Sequence, residues 1–348
     1  MRNSAIPYQM LEMACRQFNL GQLYNTQVVH GGLAHRVYKC TTESGDVAIK
    51  EMVARTDEAG FEERIERSST IEQAARMTGI EIPEVILLPG TNKVLATVTL
   101  ESGKTCLVRA HHWLSGYQPM TETDLADPIW LAETLVRLHS MSVTLPAAYF
   151  PVSYIAPPWE MWQQKASLHK VSWFPQFTST LPIIKQFERL IQKQQVLPIR
   201  RVPVPSHRDL TAKNILCRGT NYVLSDWDSA DWVVDALQDV FTVAIDWSFA
   251  RQGKLSEQRI CTIVNAYQRR TGYEPPAGSS YQDYCSDWAT GVLLWLAYNL
   301  ARSFNNDVKQ QSAASAEAHN ILALITEVGS WTFGRAQSLE IGARGAAF

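Results

Sequence analysis

The 348-residue sequence predicts an α/β protein of the α+β kind, with a small β-rich part over residues 1–114 and a larger, mainly helical part over residues 115–348. Short runs of β-branched and aromatic residues punctuated by glycine turns dominate the first part. After Gly116 the apolar residues recur at helical spacing instead. The third observation is a hairpin near the middle of the chain, Ser206-His-Arg-Asp-Leu-Thr-Ala-Lys-Asn214 followed by Tyr222-Val-Leu-Ser-Asp226-Trp-Asp228, which carries polar side chains on loops between apolar strands.

In chain order, Val28-Val-His-Gly31-Gly32-Leu-Ala-His35-Arg-Val-Tyr-Lys-Cys40 reads as strand, glycine turn, strand, so that the amides of Gly31 and Gly32 could approach phosphates closely. Alone, such a hairpin is usually only a turn. Asp46-Val-Ala-Ile-Lys50 forms a third strand ending in a lysine beside apolar neighbours. A strand-terminal lysine is ordinarily solvated, but placed after the glycine turn and before a helix, Lys50 becomes a candidate to pair with phosphate oxygens. The helix runs from about Glu58 to Thr78, with Ile65, Ile71 and Ala75 on its apolar face. Lys93 to Val98, a turn at Glu101 to Lys104, and Thr105 to Gly116 continue the β-rich part. Trp130 to His139 reads as an amphipathic core helix with His139 satisfied internally, and Leu181 to Gln195 as a second helical stretch. Ser279 to Phe304 reads as one helix with Tyr284, Trp288, Trp295 and Asn299 on one face. Burial is the default for such aromatics. Eleven tryptophans is a high count, however, so some of them could stack on a ring-shaped ligand.

The hairpin carries the chemistry. Asp209, Asn214 and Asp226 lie at successive separations of five and twelve residues. Magnesium takes few protein oxygens and keeps waters and substrate oxygens, and Asn214 and Asp226 would supply two. Asp209 can reach the same volume without being a ligand and accept the proton of an attacking hydroxyl. Any one of these residues could be chance surface polarity, but the joint pattern on a β-hairpin points to phosphoryl transfer.

With these residues in place, the chain resembles the aminoglycoside phosphotransferase and choline kinase branch of the protein-kinase-like fold. That family usually reads His-Gly-Asp where this chain has His207-Arg208-Asp209. The segment after Asp226 has no Asp-Phe-Gly, no long activation segment and no Ala-Pro-Glu, which separates it from protein kinases. The resemblance implies a bilobal molecule with Mg2+ and ATP or GTP as cofactors. It implies a helix glutamate orienting Lys50, either Glu72 or its rival Glu66, and a hinge in which main-chain groups near His112 and Leu114 bond the nucleotide base. Asp239 matches a helix-borne aspartate that braces the loop, a position equally suited to a charge at a helix N-terminus. In related kinases the C-terminal helices wall the acceptor cleft, so Asp228, Asp231, Asp287 and Trp288 are candidate acceptor contacts for a cationic ring. The leading expectation is phosphorylation of an antibiotic hydroxyl, followed by a choline, homoserine, sugar or nucleoside kinase. A catalytically silent binding module is a third reading, opposed by the intact set of Lys50, Asp209, Asn214 and Asp226.

Composition limits the partners. A net charge of -2 gives no reason to invoke nucleic acid or a membrane surface. The N-terminus lacks an apolar core of signal-peptide length and the apolar run near Gly291 is too short to span a bilayer, so a cytoplasmic enzyme is expected. Cysteines at 15, 40, 106, 217, 261 and 285 form no metal-binding spacing and read as reduced thiols.

Overall fold

The computed structural model describes residues 7–29, 35–53, 56, 58–121, 126–144, 154–196, 202–249, 254–274, 280–305 and 307–334. The chain divides into two compact units. The first comprises Met1–Thr121, Met141–Thr144 and Pro205–Asp231, and the second the remainder. Residues 115–121 and the hairpin, which the sequence reading places in the C-terminal part, thus cluster with the sheet of the first unit.

In the first unit, helix α1 (Tyr8–Gln17) precedes strands β1 (Leu23–Val29), β2 (Arg36–Thr42) and β3 (Gly45–Met52), then helix α2 (Phe61–Met77) and strands β4 (Val85–Ile86), β5 (Ala96–Thr99) and β6 (Thr105–His112). The strands form a six-stranded sheet in the order β1-β2-β3-β6-β4, with β5 also on β6, and every recorded pairing is antiparallel. Because side chains alternate across a strand, the sheet sorts its residues by face. Val47 and Ile49 of β3 and Val108 and Ala110 of β6 enter a core with Met10, Leu11, Ala14 and Cys15 of α1. Met52 of β3 instead packs with Phe61 and Ile65 of α2 and with Val94 and Leu95. Lys50 shares the face of Met52. Helix α1 has no counterpart in the sequence reading. Helix α2 lies within the expected span and buries Ile65, Ile71 and Ala75 as expected.

Strands β7 (Gln118–Pro119), β9 (Ile215–Arg218) and β10 (Asn221–Leu224) form a small sheet in the order β10-β9-β7. Strand β8 (Val204–Ser206) leads into the polar loop, a 3-10 turn over Ala212–Asn214 enters β9, and β11 (Asp231–Val233) leaves the far end. The β9–β10 hairpin is the one expected from sequence.

The second unit is helical: α3 (Pro128–His139), α4 (Trp159–His169), α5 (Phe174–Val196), α6 (Ala236–Asp246), α7 (Glu257–Thr271), α8 (Tyr281–Tyr284), α9 (Ser286–Arg302) and α10 (Val308–Gly334). The single helix expected over 279–304 is instead two. Ser280 and Asp283 form a capping box that starts α8, and Cys285 separates it from α9. Trp159 and Trp173 are fully buried, their indole Nε1 donating to Glu188 at 2.7 Å and Ser303 at 3.1 Å. His139 is satisfied internally, with Nδ1 2.9 Å from the Tyr267 hydroxyl and Nε2 2.9 Å from an Asp239 carboxylate oxygen. No helix among the described residues is long and apolar enough to cross a membrane.

Candidate active site

The register of β3 on β6 sets Lys50 directly opposite Arg109. Cross-strand partners share a face and like charges there repel, so this arrangement requires anions. The hairpin supplies two. Lys50 Nζ lies 2.5 Å from Asp226 Oδ1 and also pairs with Asp228 Oδ2. Arg109 has no exposed side-chain surface and is held at both ends, 2.5 Å from Asp228 Oδ1 and 2.5 Å from Glu72 Oε2. His111, two residues along β6, reaches the other Glu72 oxygen at 2.9 Å.

These contacts set the protonation states. Burial pushes the Asp228 carboxyl upward, but Lys50 and Arg109 more than reverse this and hold it well below the usual carboxylate range. Burial likewise opposes the charge on Glu72, and Arg109 and His111 overcome it, lowering its pKa. Burial disfavours the Lys50 ammonium, yet Asp228 and Asp226 leave its pKa raised. The site holds its charges by pairing them.

The polar loop is braced locally. His207 is buried, donates Nε2 to the Ser225 carbonyl at 3.0 Å and packs on Trp227 with ring centroids 4.5 Å apart. Burial lowers its pKa, so the ring is neutral. Trp227 in turn donates Nε1 to the Leu224 carbonyl at 3.1 Å. Arg208 and Asp226 both have left-handed backbone, at φ 61° and 63°. That conformation is cheap for glycine, which is the physical reason a glycine suits position 208.

Asp209 presents a partly exposed carboxylate, 3.4 Å from Lys213 Nζ and 3.4 Å from the Thr211 hydroxyl. Asn214 donates its Nδ2 to the Asp209 carbonyl at 2.8 Å, which leaves Oδ1 as its atom for a cation. Among the described residues there is no cluster of three or more His, Cys, Asp or Glu side chains fit for a metal ion. A pair such as Asn214 and Asp226 is what magnesium needs, since it keeps water and substrate oxygens for its other positions. The residues fit that ion.

Other sequence candidates fall differently. The bonds recorded for the two helix glutamates go elsewhere than Lys50: Glu72 is held by Arg109 and His111, and Glu66 accepts the backbone amides of Val94 at 3.1 Å and Leu95 at 3.1 Å. At the expected hinge, His112 donates its amide to the Glu84 carbonyl at 2.8 Å and Trp113 to that of Asp46 at 3.0 Å. Among the described residues no backbone bond takes the Leu114 amide. Gly31 and Gly32 lie outside the described residues. Of the acceptor candidates, Asp228 serves Lys50 and Arg109, and Asp231 pairs with Arg67 at 3.0 Å. Trp288 is a core side chain, donating Nε1 to Asp246 at 3.0 Å and packing against Phe187. Asp287 lies beside it on α9, half-buried.

The sequence reading gives no role to Arg109, His111 or His35. His35 Nε2 stands 3.8 Å from Asp228 Oδ2. A signal for Arg109 was present: a charged residue inside the apolar strand Cys106-Leu-Val-Arg109-Ala110 requires a buried partner.

Residues 25–276 match the model of a family described as the phosphotransferase enzyme family. No curated protein matches the sequence. Among solved structures, a spectinomycin phosphotransferase in complex with ADP and spectinomycin is similar at 15% identity and TM-score 0.65, over 93% of this chain and 98% of that one. A microcompartment-associated aminopropanol kinase gives 15% identity and TM-score 0.62 over 93% and 99%. An amicoumacin kinase in complex with AMP-PNP, Ca2+ and Ami gives 14% and 0.56 over 89% and 92%. At such identities the likeness shows the fold, which is protein-kinase-like.

Proposed function

We infer that this chain, which belongs to the phosphotransferase enzyme family and acts on an alcohol group, moves the γ-phosphoryl group of ATP or GTP onto a hydroxyl of a small natural product of the antibiotic type. The observation that carries the reading is the joining of two sets of residues within one compact unit: Lys50 with Asp226 and Asp228, and Asp209 with Asn214.

In this reading Lys50 binds the α- and β-phosphates, and the Leu114 amide with main-chain groups near His112 holds the base. Asn214 Oδ1 and the Asp226 carboxylate would hold magnesium, which would supply positive charge against that developing on the transferred phosphoryl group. Asp209 accepts the proton of the acceptor hydroxyl as its oxygen attacks phosphorus and the bond to the β-γ bridging oxygen breaks. The proton ends on the aspartate, and the leaving nucleoside diphosphate takes the electron pair.

Spectinomycin and amicoumacin in the similar structures support an antibiotic acceptor, and the aminopropanol kinase supports a small amino alcohol as the second reading. A screen of both classes by nucleotide consumption and mass spectrometry separates them. With an acceptor in hand, Asp209→Asn should lower kcat by roughly a hundredfold or more while leaving the KM for nucleotide nearly unchanged. Lost nucleotide binding with normal turnover at saturation would remove Asp209 from the role of base.

A further inference from the structure

We propose that Arg109 is a positioning residue for the phosphate-binding lysine: it fixes Asp228 from behind, and Asp228, rather than Glu72, is the carboxylate that orients Lys50. The inference rests on the reading of Lys50 as a phosphate ligand and deepens it by naming what aims it.

Three observations combine. Lys50 and Arg109 are exact cross-strand partners, so two cations stand side by side on one face of the sheet. They share one anion, since Asp228 gives Oδ1 to Arg109 and Oδ2 to Lys50. The glutamate of α2 is already committed, its two oxygens going to Arg109 and His111. The result is a chain of contacts, Glu72 to Arg109 to Asp228 to Lys50, that crosses from helix to sheet to hairpin and back to the sheet.

Arginine suits the middle of this chain. Its planar fork can hold one carboxylate on each terminal nitrogen, whereas an ammonium is a point charge that cannot fix both orientations. Arg109 is completely enclosed and its Nε has no partner among the described residues, so it has no surface with which to meet a nucleotide. It therefore acts through Asp228. Without it, two carboxylates would be left facing Lys50 and His111, and the lysine would no longer be aimed from a fixed anion.

The test uses the full chain with Mg-ADP as probe and calorimetry as readout, which needs no acceptor. Lys50→Ala is the control for the underlying reading. Arg109→Met should weaken Mg-ADP roughly tenfold or more, the scale of one lost charge-assisted hydrogen bond. Arg109→Lys should recover only part of this. The paired variant Glu72→Gln with Arg109→Met removes one buried cation and one buried anion together, and covers the case in which the single variant does not fold. Adding Asp228→Asn to Arg109→Met should weaken binding no further, because both act through the same aim of Lys50.

If Lys50→Ala weakens Mg-ADP but folded Arg109→Met and the paired variant bind it as the unaltered chain does, with only a lower melting temperature, Arg109 is merely structural and the inference is overturned alone. If Lys50→Ala itself binds normally, the reading of Lys50 fails and takes the inference with it. Additive losses for Arg109→Met and Asp228→Asn would show that the two act separately, which also contradicts it.

Discussion

Burial favours a neutral imidazole at position 207, where the ring packs on Trp227 and Nε2 donates to the Ser225 carbonyl. Burial holds its pKa below the ordinary histidine value of 6.5. The unfolded chain therefore takes up a proton at this residue before the folded one does. Stability from His207 is fully present above about pH 6.5 and declines as pH falls below that toward the folded value. His207→Gln keeps a donor and removes the titration, so the gap in melting temperature between pH 7.5 and pH 5.5 should be smaller in the variant. Parallel pH profiles for the two proteins would contradict this. Asp209, Asn214 and Asp226 could be singled out from sequence as candidates because their residue types and spacings are local properties of one hairpin. Arg109 could not be placed in that way, since its role depends on the β3–β6 register that puts it opposite Lys50. The same register explains why a helix glutamate was expected on the lysine and is found on the arginine.

At the scale of elements, the strands and α2 were legible because period-2 and period-3.6 patterns survive in a single sequence. The break between α8 and α9 was not, because Cys285 interrupts an otherwise continuous helical pattern after the short helix that the Ser280–Asp283 capping box starts. Trp288, expected at the acceptor, lies in the core for a related reason: spacing identifies a helix face but not what covers it. Trp288→Ala should cost about 3–5 kcal/mol of stability, as for large core aromatics, with acceptor KM unchanged in the folded fraction. Chemical denaturation together with acceptor kinetics checks both parts. Gly329 of α10 lets the α5 residue Ile183 approach so closely that an added Cβ would lie 2.2 Å from its Cγ2. Gly329→Ala should destabilise the helical unit by about 1–3 kcal/mol, the usual cost of overpacking, measurable by the same denaturation. No loss would mean that these helices can separate freely.

For the whole molecule, the sequence reading of reduced cysteines meets a chain in which none of the six described cysteines is joined in a disulfide. Burial pushes the Cys15 thiol up to about 11, Cys40 up to about 12 and Cys285 up to about 12, so these resist ionisation. An aromatic disulfide reagent should therefore label the half-buried Cys217 and Cys261 first, and mass mapping would contradict this if Cys40 or Cys285 reacted as quickly. The organisation into a β-rich part and a helical part was legible from composition and period alone, whereas the grouping of the hairpin with the sheet arises from contacts far apart in sequence. The central claim is that this constellation transfers a phosphoryl group to a small-molecule hydroxyl with Asp209 as base. The direct measurement is mass spectrometry of antibiotic and amino-alcohol acceptors incubated with Mg-ATP or Mg-GTP and either the unaltered chain or Asp209→Asn. The account predicts an acceptor that gains one phosphate in step with nucleoside diphosphate, at a rate reduced roughly a hundredfold or more in the variant. Phosphorylated acceptor formed equally fast by both proteins, or nucleotide consumed with the phosphate passing only to water, would contradict it.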